Sequence, residues 1–113
     1  IDAADDWAIP PIPRELDTPE ATAWSDARRA NQPVGTLTEP VSLSKPLEDW
    51  DLTRTFIKAS ADPAEADDSA FWKTARHAEA SPAWSYHEVA TNHMVPMNRP
   101  HELATILLDI ART

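Results

Sequence analysis

The chain has 113 residues, 42% of them apolar with five tryptophans, ten basic against nineteen acidic residues, four histidines and no cysteine. Such length and apolar content suit one modest domain or part of a larger one and argue against global disorder. A net charge of −9 repels phosphate backbones and anionic lipid, so nucleic acid and membrane surfaces are poor partners, and the lack of cysteine excludes disulfides, thiolate metal sites and a cysteine nucleophile.

The acid excess lies early: residues 1 to 51 carry eleven acids and four bases, the remainder eight and six. That asymmetry points to a solvated front segment and a more neutral body. No apolar run approaches the roughly 20 residues that span a bilayer, and no signal-peptide pattern opens the chain, so a cytoplasmic protein is expected. The first residue is Ile1, and eleven prolines stand against one glycine. An α/β domain uses several glycines in its turns and phosphate loops. The expectation is therefore a fragment that lacks the Gly-rich part of its fold.

In chain order, residues 1 to 17 read as irregular, because Pro10, Pro11 and Pro13 force extended or turn geometry around Trp7 and Ile9. Thr18-Pro19-Glu20 starts a helix, with Thr18 as N-cap and proline in the first turn. Ala23, Trp24, Ala27 and Ala30 follow at helical spacing, and Asn31 with Pro33 stops it, which predicts a helix over 19–30. The next stretch, QPVGTLTEPVSLSKPLEDW, reads as a loop with at most a helical turn.

Residues 54 to 59, RTFIKA, form a short β-prone run. The polar SADPAEADD leads to SAFWKTARHAEA, a helix that Asp67, Asp68 or Ser69 can cap, with Phe71, Ala75 and Ala78 on one face and Pro82 closing it. Residues 86 to 90 read as a second strand. A third helix runs over 100–111, where Leu103, Ile106, Leu107 and Ile110 form an apolar stripe that Ala104, Leu108 and Ala111 widen, as in a helix packed on more than one side. Strand, helix, strand, helix with short loops is the pattern of a parallel sheet covered by helices, so the fold class is α/β. Two strands alone do not stabilise such a sheet.

The run HEVATNHMVPMNRPHELATILLDIA, in which a strand leads through a polar loop holding His93 to a proline and a final helix, resembles the C-terminal end of an α/β-hydrolase. AWSDARRANQPVGTLTEPVSL is similar to the cap of small esterases related to plant methylesterases and hydroxynitrile lyases, and RTFIKASAD to their penultimate core strand. The resemblance covers roughly residues 10 to 112. It implies a cap over residues 1–48, the C-terminal part of a hydrolase core over 49–113, a carboxylic ester as substrate, and no cofactor or metal.

Carried over by position, the resemblance makes His93 the catalytic base and Asp62 the acid that orients it. The physics of the pattern agrees, since each follows its strand by a few residues and parallel strands bring such loops to one edge. Glu65, Asp67 and Asp68 compete for the acid, capping is the ordinary role of the last two, and Asp62-Pro63 is also a plain turn. An imidazole Nδ1–carboxylate hydrogen bond is expected between His93 and Asp62.

The chain departs from the family in one decisive respect: it has no G-x-S-x-G, and none of Ser25, Ser42, Ser44, Ser60, Ser69, Ser81 or Ser85 sits on a glycine-flanked elbow. The nucleophile is expected on an N-terminal polypeptide or segment outside these residues, and the chain alone is expected to be inactive. Hydroxynitrile lyase is the alternative chemistry, disfavoured because Met94 stands where those relatives usually carry a lysine; a non-catalytic interaction module is the alternative class. His77, His87 and His93 show no recognised metal spacing, Asp2, Asp5 and Asp6 lack the features of a calcium loop, and His101 is expected to be exposed. Trp24, Trp50, Trp72 and Trp84 are expected in core or cap packing, because no basic residues interleave them as on a base-stacking surface.

Overall fold

The computed structural model describes residues 7–62 and 69–113. The chain divides into two compact units, one ending at Leu47 and the other running from Glu48 to Thr113. Among the described residues the fold is mixed α/β, with five helices, two two-stranded sheets and one parallel strand pair.

The first unit is built from short pieces. Strand β1 (Ala8–Ile9) pairs antiparallel with β2 (Gln32–Pro33), and the Val34 N–H donates to the Trp7 carbonyl at 2.6 Å to extend the ladder. The prolines around Ile9 hide this strand in the sequence, and its partner β2 is about two dozen residues away. Helix α1 (Pro19–Asp26) starts as expected, with the Thr18 hydroxyl accepting the Ala21 N–H at 3.1 Å. It stops at Asp26 instead of residue 30, because Arg28 and Arg29 donate to the carbonyls three residues back and tighten the chain into turns. A guanidinium–ring contact, Arg28 over Trp24 at 4.2 Å, lies on the same turn. Helix α2 (Gly35–Thr38) is the single helical turn of the following loop. No described residue of this unit is buried.

The second unit holds the core. Strands β3 (Thr55–Ala59) and β4 (Ser85–Val89) pair in parallel, in register from Thr55 with Ser85 to Ala59 with Val89, and α3 (Ala70–Ala80) crosses between them. Ser69 is the residue that caps α3, its hydroxyl accepting the Trp72 N–H at 3.3 Å; Asp67 and Asp68 lie outside the described residues. Helix α5 (Pro100–Arg112) follows a short helix, α4 (Val95–Asn98), that the Pro96 in its sequence obscures.

Alternation along the strands sorts the side chains into two layers. Val89 is fully buried with Val95 and Ile106, and Ile57, Ala59, Leu103 and Ile110 pack against them, so α4 and α5 cover one face. The opposite face carries Phe56 stacked on Tyr86 at 6.3 Å, and Lys58, whose ammonium lies 4.7 Å above the Trp72 ring of α3. Ala75 and Ala78 of α3 are buried outside the first cluster. The sheet is thus a middle layer with a helix on each side.

Two expected packing faces are only half used. Phe71 is 73% exposed although Ala75 and Ala78 beside it on α3 are buried. On α5, Ile106 is buried and Leu103 and Ile110 are partly so, whereas Leu107 and Leu108 are 52% and 56% exposed. The reason is width: two strands about 4.8 Å apart cannot cover a helix about 10 Å across. The tryptophans likewise form no core, for none of the five is buried.

Candidate active site

Parallel pairing sends the chain leaving β3 and the chain leaving β4 to the same edge of the sheet. The ladder continues past both strands, with Ser60 N–H donating to the Val89 carbonyl and Ala61 N–H to the Thr91 carbonyl, each at 3.0 Å. These bonds hold the Asp62 loop against the His93 loop. The Asp62 carboxylate accepts the main-chain N–H of His93 at 3.0 Å. The residues are therefore adjacent, but the contact differs from the expected one, since it reaches the backbone of His93 and not its imidazole.

The His93 loop is fixed from within. Thr91 is buried; the Asn92 carboxamide oxygen accepts the Met94 N–H at 3.0 Å, closing an Asx turn around His93. The Asn98 side chain on α4 reaches back to donate to the Asn92 oxygen at 3.0 Å and to the Thr91 hydroxyl at 3.2 Å. Such a loop keeps its backbone still while the His93 side chain stays exposed. Sequence reasoning missed Asn92 and Asn98; an asparagine two residues before Met94 was the available signal for the turn.

Beside this loop lies a cavity of about 220 Å³. Asp62 and His93 line it, with Phe56, Ile57, Ala59, Phe71, Trp72 and Val95 as its apolar wall and Lys58 and Ser69 as further polar groups. The Phe71 ring is 6.2 Å from the His93 ring and tilted by 59°, within the range of edge-to-face aromatic pairs. Lys58 is held by Glu88 at 3.4 Å as well as by the Trp72 ring, so its charge is spoken for locally. The Tyr86 hydroxyl donates to the other side of this network, to Glu88 at 2.7 Å. That hydrogen bond, aided by Lys58, holds the Glu88 carboxyl below its usual range, while burial first and Glu88 second push the Tyr86 phenol up.

The chain matches no family model, no curated protein and no solved structure.

The remaining histidines stand apart from the cavity. The His77 Nε2 donates to Glu48 at 2.8 Å, and the Trp84 indole N–H donates to the same oxygen at 3.3 Å; these hydrogen bonds, His77 foremost, hold Glu48 down at about 2. His87 is half-buried within β4, and His101 is exposed at the start of α5. Among the described residues no three histidine and carboxylate side chains come together as a metal site, and no helix is long and apolar enough to cross a membrane. The serines nearest the pair have structural work: Ser60 donates to the Val89 carbonyl at 3.3 Å and Ser69 caps α3. Glu65, Asp67 and Asp68, the competing acids, lie outside the described residues.

Proposed function

We propose that this chain supplies the general base, His93, and its orienting acid, Asp62, to a serine-type carboxylic ester hydrolase of the α/β-hydrolase kind. The observation that carries the reading is the meeting of Asp62 and His93 at the carboxyl edge of a parallel strand pair. A carboxylate has two oxygens, and holding the main-chain N–H with one leaves the other for the ring Nδ1–H. The helices on opposite faces of the sheet are in keeping with such a core, with residues 1–48 as its cap.

In this reading the imidazole takes the proton of a serine hydroxyl as that oxygen attacks the ester carbonyl carbon. It then returns the proton to the departing alkoxide, leaving an acyl-serine and free alcohol, and activates water for the second half of the cycle. Asp62 holds the tautomer and stabilises the imidazolium. The serine and the oxyanion donors come from a polypeptide segment outside this chain, because the sequence has no G-x-S-x-G. The test is hydrolysis of a small aryl ester by the native material that contains this chain. Activity lost on His93→Ala, together with labelling of a serine outside the chain by a fluorophosphonate, supports the reading; activity retained by His93→Ala rejects it.

One observation favours a second reading, a non-catalytic interaction module on the same scaffold. The Asp62 carboxylate is engaged by main chain, as a purely structural loop brace would be. No hydrolysis above background in native material decides for the module. Hydroxynitrile lyase chemistry is set aside on Met94.

A further inference from the structure

The cavity beside His93 has an unusual wall: four consecutive residues, Phe56 to Ala59, line it. Successive residues of a strand point to opposite faces, so only the strand's edge can present all four together. The hydrogen-bond register says which main-chain groups face that edge. Ser85 donates to the Arg54 carbonyl and Ser60 donates to the Val89 carbonyl, so the even-numbered residues of β3 turn their N–H and C=O toward β4. Thr55, Ile57 and Ala59 turn theirs away, the last two along the cavity. Among the described residues the Ala59 carbonyl takes one bond there, from the Asp62 N–H at 3.3 Å, and the Ile57 N–H and C=O have no partner.

We infer that this groove is the seat of an added β-strand from another polypeptide segment, apolar and uncharged at its centre. Donors and acceptors at strand spacing inside an apolar trough are matched by an extended backbone, which supplies acceptors and donors at the same spacing, whereas a small ligand satisfies one or two of them. The walls, Phe71 and Trp72 from α3 on one side and Val95 from α4 on the other, take the alternating side chains of such a strand. Charge selects against a second copy of this chain: pairing two edges would bring together two chains of net charge −9, with Asp62 at the end of each groove. A neutral or basic segment meets no such repulsion. Helices on both faces of the sheet favour an added strand that runs parallel. Its carboxyl end then lies beside Asp62 and His93, which brings the residues that follow it to the catalytic pair. This last step rests on the hydrolase reading above; the strand itself does not.

Amide hydrogen exchange of the native material, read with its native mass, tests the inference, and the Lys58 N–H, bonded to β4, serves as the internal standard. The expected result is Ile57 N–H protection within about tenfold of Lys58, in an assembly whose mass is not an integer multiple of the chain, with Ile57→Pro releasing the partner and Ile57→Val retaining it. Protection at an integer multiple above one means that a second copy fills the groove, and protection at the mass of one chain means that the chain covers its own edge; either overturns the proposal. So does rapid Ile57 exchange in native material, even where esterase activity depends on His93. A protected edge in a hetero-assembly without esterase activity leaves the strand site standing and removes the hydrolase reading.

Discussion

The carboxylate of Asp62 accepts the main-chain N–H of His93 at 3.0 Å, across the ends of β3 and β4 and 31 residues apart in sequence. This bond fixes the position of the His93 backbone relative to the cavity, which the Asp62 carboxylate and the His93 side chain both line. Whether the charge or merely the oxygen matters separates catalysis from scaffolding. Asp62→Asn keeps an oxygen for the His93 N–H and removes the charge, so stability is expected to stay within about 0.5 kcal/mol while ester hydrolysis falls by about 10³-fold or more. Steady-state rates and a urea titration on the same variant provide the check, and an unchanged rate makes Asp62 a loop brace alone.

Asn98 is expected to control the mobility of the His93 loop, since its carboxamide ties α4 to Thr91 and Asn92. Asn98→Ala should cost about 1–2 kcal/mol through the lost hydrogen bonds to a part-buried site. Faster exchange of the Met94 amide, with the Lys58 amide unchanged, is the local signature. Equal loss of protection at both would mean global destabilisation instead.

On α5, neighbouring positions should behave in opposite ways. Ile106→Ala opens a cavity under β4 and is expected to lower stability by about 2–4 kcal/mol, because Ile106 is buried against Val89 and Val95. Leu107→Ser, at a residue 52% exposed, should leave the unfolding free energy of the chain within about 0.5 kcal/mol. If Leu107→Ser lowers stability as much as Ile106→Ala in native material, another polypeptide covers that side of the helix.

Ser69→Ala removes the oxygen that accepts the Trp72 N–H and is expected to destabilise α3 by about 1 kcal/mol, whereas Ser69→Asp should be neutral or better because the acid also suits the positive helix N-terminus. Denaturant midpoints of the two variants give the comparison. Equal loss in both would mean that α3 does not depend on this cap.

The Glu48 contact predicts a pH dependence with a definite sign. Its carboxyl is held at about 2, below the ordinary 4.5, chiefly by the His77 hydrogen bond. A depressed folded pKa contributes stability that is present above about 4.5 and lost as pH falls through about 2. Glu48→Gln should therefore flatten the acid limb of the stability curve between those values and leave it unchanged at neutral pH in shape. Because the pair is exposed, raising the salt concentration should shrink the difference.

The sequence alone determined what depends on local chemistry. Thr18 with Pro19 started α1, Ser69 before an apolar-periodic run started α3, and the alternation of β-prone and helical segments named a parallel α/β unit; each rests on neighbours a few residues apart. The positions of Asp62 and His93 just beyond two strands were legible for the same reason. Tertiary structure decided the rest. β1 exists only because residues 32–34 come beside it, and α4 only because Asn98 finds Thr91 and Asn92 across the loop. Phe71 and Leu107 follow the helical period as well as Ala78 and Ile106 do, yet periodicity states which residues share a face and not whether anything covers it. Coverage depends on how many strands the sheet has, and with two the outer half of each face remains open. Likewise the sequence placed an acid near a histidine, but whether the carboxylate meets the ring or the main chain depends on the exact rise of two loops, which the long-range bonds from Ser60 and Ala61 set.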